Sequence, residues 1–277
     1  MAHGGYTPGI LDYFGTHLTP ACMTAIVEHF IQGFGDAEDT LRLRATMLVE
    51  LGNLADLIAD EDIARCYDIL SRACRGDVPI GERDAMHIET TRNAFSRFRI
   101  DTGTVAEIAG GAAWSMARLF HRLSDEQRGD VVETLRALAD LDDAALRRDV
   151  ARAIGELRQL RTDEWDRLRV TLVILLRDPD PNVQSWMVQS VARLYERNAL
   201  DMDGALIERI LELGTTHTHR DVRRAVAYAL RHLPIADRVP DMSGAAEEAR
   251  IKLEMDVDFG VRTELVGQDE DEAGPVP

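Results

Sequence analysis

Apolar residues in the second half of the chain recur with the period of an α-helix. After Val222 they fall at offsets of 3, 4, 7, 8 and 11 residues, which places them on one face of a helix. The residues after Val183 follow nearly the same spacing. Each of these segments follows another amphipathic segment, 164–176 or 206–213, across a short polar turn. The pattern predicts helical hairpins, and no alternating strand pattern of any length competes with it.

Four short segments repeat the start of the second helix of such a hairpin. Each has an acid or another capping residue, two spacers, an aliphatic residue and usually an arginine. Asp180 can cap a helix whose first position is Pro181, where a missing N–H costs nothing. The aliphatic residues are the structural anchors of the repeat and are spaced by 37, 39 and 39 residues: Leu146, Val183, Val222 and Val261. This near-constant period indicates a stack of repeated helix pairs.

The repeated Asp-x-x-Val-Arg segments resemble the start of the second helix in HEAT repeats, whose period is about 40 residues. The resemblance extends over residues 125–266, with Gln184 in place of the usual arginine and His219 in place of the usual acid. It implies a curved right-handed stack in which each pair touches only its neighbours and leaves an extended concave surface for binding. We therefore expect an all-α fold, an α-solenoid (superhelix) of about six HEAT-like helical hairpins.

The first half of the chain is less regular, and the spacing between its segments drifts above 40 residues. We expect a capping helix over 20–34 and further helices over 37–55, 58–73, 83–98 and 105–121. The chain then has four parts: a flexible N-terminus over 1–19, irregular helical repeats over 20–124, HEAT-like repeats over 125–267 that continue from them, and a disordered acidic tail over 268–277.

The 277 residues include 49 acidic and 32 basic ones, a net charge of −17. Lys252 is the single lysine, so 31 of the basic residues are arginine. Strong GC bias in the coding DNA or a cytoplasm rich in salt produces such a composition, and we expect a halophilic or high-GC microbial source. With no apolar stretch long enough to span a bilayer and no signal peptide at the N-terminus, the expected location is cytoplasmic.

The charge is unevenly distributed along the chain. Residues 143–236 carry 15 basic and 14 acidic residues, whereas residues 1–142 carry 13 and 23 and residues 237–277 carry 4 and 12. The resemblance implies that second helices line the concave side, and anchor-adjacent arginines such as Arg223 are expected to bridge neighbouring repeats. The arginines of the central repeats form the candidate partner-binding surface: Arg148, Arg152, Arg193, Arg197, Arg220, Arg223, Arg224 and Arg231.

Motifs for chemistry are sparse. No segment matches a phosphate-binding loop, a nucleophile elbow or a zincin helix, and no cofactor is expected. His217 and His219 could share a metal ion with Asp221, but they lie at a turn where polar residues belong, and His219 occupies a capping position. No metal site is therefore predicted. Cys66 and Cys74 are typical of small buried apolar residues in a reducing compartment.

Three functions remain open. The first, which the sequence favours, is a non-enzymatic scaffold that binds a protein partner through its concave, arginine-bearing surface. The second is an enzyme on the same solenoid, of the DNA glycosylase or bilin lyase type, with Trp165, Asp166 and Trp186 as the residues to consider. Trp186 lies on the core side of its helix, where packing is its expected role. The third is a nucleic-acid-associated binder, which the net charge disfavours because it repels phosphates.

Overall fold

The computed structural model describes residues 19–35, 41–77 and 103–267. These residues form thirteen α-helices and two short 3-10 helices, Phe120–Arg122 and Pro240–Met242, and contain no strand. The expectations for the two termini and for a helix over 83–98 lie outside the described residues. In chain order the α-helices are α1 (Pro20–Gly35), α2 (Leu41–Asn53), α3 (Asp60–Cys74), α4 (Gly103–Leu119), α5 (Asp125–Ala139), α6 (Ala144–Ile154), α7 (Thr162–Leu175), α8 (Pro181–Arg197), α9 (Gly204–Thr216), α10 (Arg220–His232), α11 (Ile235–Arg238), α12 (Ser243–Glu254) and α13 (Phe259–Val266).

The chain divides into two compact units between Arg158 and Gln159. In the first unit, α1 packs on α2, α3 on α4 and α5 on α6, and the second helices α2, α4 and α6 pack on one another in that order. In the second unit the pairs are α7 with α8, α9 with α10 and α12 with α13, and α10 packs on both α8 and α13. The described residues therefore form six helix pairs, which agrees with the prediction of about six. Helix α1, predicted as a separate capping helix, is the first helix of the first pair. The predicted change in regularity at residue 125 stays a prediction.

The second helices of the last four pairs begin in the same way. Asp143, Asp180 and Asp258 are the capping residues of α6, α8 and α13, and each carboxylate accepts a backbone N–H bond from the first turn, at 2.9, 2.7 and 2.9 Å. His219 occupies the equivalent position before α10, but its side chain makes no capping bond. The four anchors, at the third residue of each helix, are all buried. In three of the four copies the cap thus fixes the helix start two residues before the buried anchor.

The arginine that follows an anchor binds back to the turn before its own helix. In three copies its guanidinium donates a hydrogen bond to the carbonyl oxygen of the residue six positions earlier. This bond holds the turn against the first turn of the helix that follows it. The bonds run from Arg147 to Leu141, from Arg223 to His217 and from Arg262 to Asp256.

A pair of glycines lets α4 lie close to both of its neighbours. A Cβ atom on Gly110 would lie 2.8 Å from a carboxylate oxygen of Asp149 on α6. A Cβ atom on Gly111 would lie 3.1 Å from a methyl carbon of Val49 on α2. Contacts this short are rare for real side chains, so the Gly110–Gly111 pair sets how closely the second helices of the first unit approach.

Candidate partner-binding surface

The candidate arginines fall into two groups. Arg148 and Arg152 lie on α6 in the first unit, and the other six lie on α8 and α10 in the second unit. Arg148 forms an ion pair with its neighbour Asp149, at 2.9 Å. Both groups lie on second helices, as the repeat pattern predicts. The arginines of each group contact different side chains within the chain.

In the first unit, Trp114 on α4 has two guanidinium groups beside its ring. The guanidinium carbon of Arg118 lies 5.5 Å from the ring centroid, and that of Arg152 lies 5.4 Å from it. Arg118 also forms an ion pair with the buried carboxylate of Glu156, at 3.4 Å. Each cation–π contact at a partly exposed site contributes about 0.5–1 kcal/mol. The cluster therefore ties α4 to α6, and Arg152 takes part in it.

In the second unit, two arginines of α10 hold one carboxylate. Arg224 donates from Nε to Oε2 of Glu264 on α13, at 3.0 Å, and Nη2 of Arg231 lies 3.4 Å from Oε1. Arg231 also donates to the backbone carbonyl of Glu264, at 2.9 Å. The ring of Tyr228 lies between the two arginines along the helix, with the guanidinium of Arg231 5.8 Å from its centroid. We call Arg224, Tyr228 and Arg231 the α10 row.

Arg223 and Arg220 differ in what surrounds them, although both belong to α10. Arg223 is 15% exposed and makes two bonds to the carboxylate of Asp256, at 2.6 and 3.0 Å, in the turn before α13. These bonds hold the pKa of Asp256 below its usual range. Arg220 is 70% exposed and lies 3.6 Å from Asp221 and 3.8 Å from Asp258. Arg223 therefore bridges two repeats, as expected from its place after the anchor, whereas Arg220 lies on the surface.

A second set of side chains lies along one side of α8. Trp186, Gln189, Arg193 and Arg197 follow one another at intervals of three and four residues, and none of them is fully buried. Trp186 is thus half-buried at the edge of the core side, where the sequence predicts a packing role. We call these four residues together with the α10 row the second-helix surface.

A short polar contact joins the two halves of the second-helix surface. Glu196 on α8 contacts Nδ1 of His232 on α10 through its carboxylate, at 2.6 Å. The ring of His232 lies against that of Tyr228, with centroids 4.2 Å apart. Since α8 also packs directly on α10, the α10 row and the polar side of α8 belong to one surface of the second unit.

The residues of the enzyme alternative differ in their surroundings within the second unit. Trp165 on α7 is buried, and its ring centroid lies 5.5 Å from that of Tyr195 on α8. Burial raises the pKa of Tyr195 to about 12, and its hydroxyl accepts a bond from the backbone N–H of Asp203, at 2.8 Å. Trp165 therefore packs in the core between two helices, whereas Trp186 lies on the second-helix surface and Asp166 is exposed on α7.

The histidines of the 217–219 turn bond within the turn itself. Nδ1 of His217 accepts the backbone N–H of His219, at 3.0 Å, and Nδ1 of His219 lies 3.7 Å from the carboxylate of Asp221. Across 19–35, 41–77 and 103–267, no three metal-ligating side chains lie close enough to hold an ion.

Burial raises the pKa of the Cys66 and Cys74 thiols to about 12, which keeps both protonated and apolar in character.

None of the helices described is long and apolar enough to cross a membrane.

The sequence matches no protein-family model and no curated protein. Among solved structures it is similar to an engineered protein, with a TM-score of 0.51 and 17% identity over 87% of this chain and 95% of that one. It is also similar to a designed armadillo repeat protein in complex with the peptide (KR)4, with a TM-score of 0.50 and 16% identity over 86% of this chain and 95% of the other. At such identities the likeness establishes the fold alone, and by fold the chain is an all-α repeat solenoid of stacked helix pairs.

Proposed function

We propose that this chain is a non-enzymatic scaffold that binds an extended segment of a partner protein along the second-helix surface. The observation that carries the proposal is the α10 row, in which Arg224 and Arg231 together hold the carboxylate of Glu264. Bonds from guanidinium to carboxylate are charge-assisted and directional, so an aspartate or glutamate side chain of a partner would compete with Glu264 for these donors. The resemblance to HEAT repeats assigns these helices to the concave side.

The local charge favours an acidic partner. Helices α8 and α10 carry six arginines and two acids, and three further carboxylates, of Asp256, Asp258 and Glu264, lie beside the arginines of α10. The strip is therefore slightly basic on a chain whose net charge is −17. A basic strip on an acidic protein attracts an acidic segment to one place, whereas the rest of the surface repels it. The charge of the strip therefore sets where the partner binds as well as which partner is accepted.

Two aromatic side chains add apolar contact area to the strip. Trp186 and Tyr228 are both partly exposed and lie beside the arginines of the second-helix surface. Aromatic residues and arginine are the residue types most enriched at the energetic centres of protein interfaces. An extended segment with an apolar residue between its acids would match this arrangement.

The designed armadillo repeat protein of similar fold is in complex with (KR)4, a peptide of lysine and arginine. That complex supports peptide binding by a helical-repeat scaffold. The arginines of the second-helix surface would repel (KR)4, so the partner expected here has the opposite charge. Among the described residues we find no comparable cluster of side chains that favours a bilin lyase, glycosylase or duplex-binding function.

Fluorescence anisotropy with two labelled peptides tests the proposal. The chain is expected to bind an acidic peptide of alternating aspartate and glutamate, and to bind neither (KR)4 nor a labelled DNA duplex. Reversing two charges with Arg193→Glu and Arg197→Glu is expected to weaken binding of the acidic peptide about tenfold or more.

Two arginines of first helices provide the matched control. Arg136 on α5 pairs with Glu133, and Arg167 on α7 pairs with Asp163. Arg136→Glu with Arg167→Glu changes the net charge by the same amount, and binding is expected to change less than about threefold. The proposal fails if (KR)4 binds as well as the acidic peptide, or if both double variants lose binding equally while their helical circular dichroism is unchanged.

A further inference from the structure

His232, the last residue of α10, uses both nitrogens of its ring in polar contacts. Nδ1 lies 2.6 Å from a carboxylate oxygen of Glu196 on α8. Nε2 lies 3.2 Å from Nε and 3.0 Å from Nη2 of Arg231, the neighbouring residue. The side chain of His232 is 30% exposed, so the group remains within reach of solvent and of a partner. The imidazole thus lies between a carboxylate and a guanidinium on the second-helix surface.

These two partners determine where the imidazole carries its hydrogen. A guanidinium has donors and no acceptor, so Nε2 of His232 accepts both bonds from Arg231. An ionised carboxylate only accepts, so Nδ1 carries the hydrogen and donates it to Glu196. A protonated imidazole is a donor at both nitrogens and does not fit this arrangement. The structure therefore suits a neutral His232 with its hydrogen on Nδ1.

His232 occupies the side of Arg231 that is best suited to a carboxylate. The Nε–H and one N–H of Nη2 point in the same direction, and together they bind both oxygens of a carboxylate side by side. Here both donors converge on the single acceptor Nε2 of His232. The rest of the guanidinium is directed to Glu264, with Nη1 2.9 Å from its backbone carbonyl oxygen and Nη2 3.4 Å from Oε1. The neutral imidazole therefore uses donors that a partner carboxylate could use.

The charged groups that face His232 come from two helices. Glu196 lies on α8 and Arg231 on α10 itself, while Glu264 of α13 lies on the far side of Arg231. The titratable ring of Tyr228 stacks on the imidazole, with centroids 4.2 Å apart. Helices α9 and α12 also pack on α10, but none of their described side chains forms a hydrogen bond or ion pair with His232.

Protonation of His232 would change both the bonds and the local charge. Nε2 becomes a donor, so it can no longer accept from Arg231, and two positive groups then face each other. While the imidazole is neutral, the charges of Arg224 and Arg231 are balanced by those of Glu196 and Glu264. The proton adds one positive charge to this group. A carboxylate bound to the released donors of Arg231 would offset that charge.

We propose that His232 couples the binding of an acidic segment to the uptake of a proton. The neutral imidazole holds the paired donors of Arg231, and the protonated imidazole releases them to a carboxylate of the partner. This inference rests on the function proposed above and adds a regulation of the same surface, in which binding tightens as the pH falls. His232 acts through Arg231 and is therefore a positioning residue.

Anisotropy titrations with the labelled aspartate–glutamate peptide at pH 8 and pH 6 test the coupling. The carboxylates of the peptide stay mostly ionised over this range, whereas histidine ordinarily changes its charge between about pH 5 and pH 8. The unaltered chain is expected to bind the peptide at least about fivefold more tightly at pH 6. His232→Gln keeps a donor and an acceptor but does not titrate, so its affinity is expected to be equal at the two pH values.

Two further variants separate this role from a structural one. His232→Lys has a positive charge at both pH values and no acceptor, so at pH 8 it is expected to bind about as tightly as the unaltered chain does at pH 6. His29→Gln removes an exposed histidine of α1 and is expected to leave the effect of pH unchanged. Equal affinity of the unaltered chain at both pH values, or an unchanged effect of pH in His232→Gln, would overturn the coupling and leave the proposed function standing.

Nitrogen-15 NMR of the unbound chain supplies a test that needs no partner. The ring signals of His232, identified by their loss in His232→Gln, are expected to show the hydrogen on Nδ1 at pH 8. A hydrogen on Nε2 would overturn the proposal whatever the peptide does. If Nδ1 carries the hydrogen but the peptide binds at neither pH, the function proposed above fails, and the coupling fails with it.

Discussion

At the scale of single residues, Arg223 connects α10 to the turn that leads into α13. Its guanidinium and the carboxylate of Asp256 are both mostly buried, so removing the arginine leaves a carboxylate without its partner. We expect Arg223→Ala to lower the free energy of unfolding by about 1.5–3 kcal/mol in urea titrations. Arg220→Ala, at an exposed neighbour, is expected to change it by less than about 0.5 kcal/mol. If both variants lower the free energy of unfolding equally, the Arg223–Asp256 pair does not stabilise the fold more than an exposed arginine does.

The pH dependence of stability tests the surroundings of His217. Desolvation by burial lowers the pKa of this imidazole below its ordinary value of about 6.5. The unfolded chain therefore binds the proton more readily, so the stabilisation is complete above about pH 6.5 and is lost as the pH falls below it. His217→Asn retains an acceptor for the N–H of His219 and removes the titration. Between pH 7.5 and 5.5 the variant is expected to lose less unfolding free energy than the unaltered chain, and identical slopes would contradict this account.

The sequence could not separate Arg220 from Arg223, or Trp165 from Trp186. Asp256 lies 33 residues after Arg223, and only the packing of α10 on α13 brings the two side chains together. The hydrophobic periodicity of α8 likewise assigns Trp186 to the core side, although the structure leaves this residue partly exposed. Charge and period locate a residue on a helix, but they do not identify its long-range partner.

At the scale of helices, the capping positions before α8 and α10 can be compared by their effect on stability. Asp180 accepts a bond from the N–H of Asn182, and its replacement by alanine is expected to lower the free energy of unfolding by about 1 kcal/mol. His219 holds the same position before α10 without a side-chain cap. His219→Asp supplies the missing acceptor and is expected to raise the free energy of unfolding by about 0.5–1 kcal/mol. Thermal melts measure both, and a destabilising His219→Asp would contradict this interpretation of the cap.

Replacing a helical glycine by alanine is expected to change the free energy of unfolding in opposite directions at two positions. Gly110→Ala places a methyl group within 3 Å of Asp149 and is expected to cost about 1–3 kcal/mol through displacement of α4 from α6. Gly244→Ala meets no atom within 4 Å and is expected to stabilise α12 by about 0.5–1 kcal/mol. Denaturant titrations compare the two, and a neutral Gly110→Ala would show that α4 and α6 can separate without penalty.

Strongly periodic helices such as α8 and α10 are predictable from the sequence, whereas α12 is not. The predicted hairpins name no first helix before the Val261 anchor, and α12 supplies it. Only Ala249 and Leu253 are buried in that helix, so its hydrophobic period is faint. The same scarcity of covered residues leaves Met255, Phe259 and Val266 exposed, and it explains why the first helix of the last pair is not evident in the sequence.

At the scale of the whole molecule, the net charge of −17 makes stability depend on salt. Carboxylates that repel one another are screened as the Debye length shortens from about 10 Å at 0.1 M to about 3 Å at 1 M. If the source is halophilic, the melting temperature is expected to rise steadily with added KCl up to molar concentrations. A melting temperature that is equal at low and high KCl would contradict the halophilic interpretation and would leave coding bias as the reason for the arginines.

The architecture follows from the sequence because one signal repeats four times. The spacing of the anchors fixes the helix pairs, and the caps and bridging arginines recur with them. The function has no such repetition, since a binding surface needs only a few side chains that differ from one repeat to the next. Arg224, Tyr228 and Arg231 stand out only after the fold places Glu264 between the two arginines.

Site-specific photocrosslinking tests the central claim, that the second-helix surface binds a protein partner. A photoreactive amino acid would replace Gln189 or Tyr228 on this surface, and Ile174 or Arg169 on α7, in cells that naturally express the protein and in their native salt. The account predicts a discrete crosslinked partner at positions 189 and 228, which Arg193→Glu with Arg197→Glu abolishes. The same adduct at positions 169 and 174 but not at 189 and 228 would place the partner on the first helices and contradict the account.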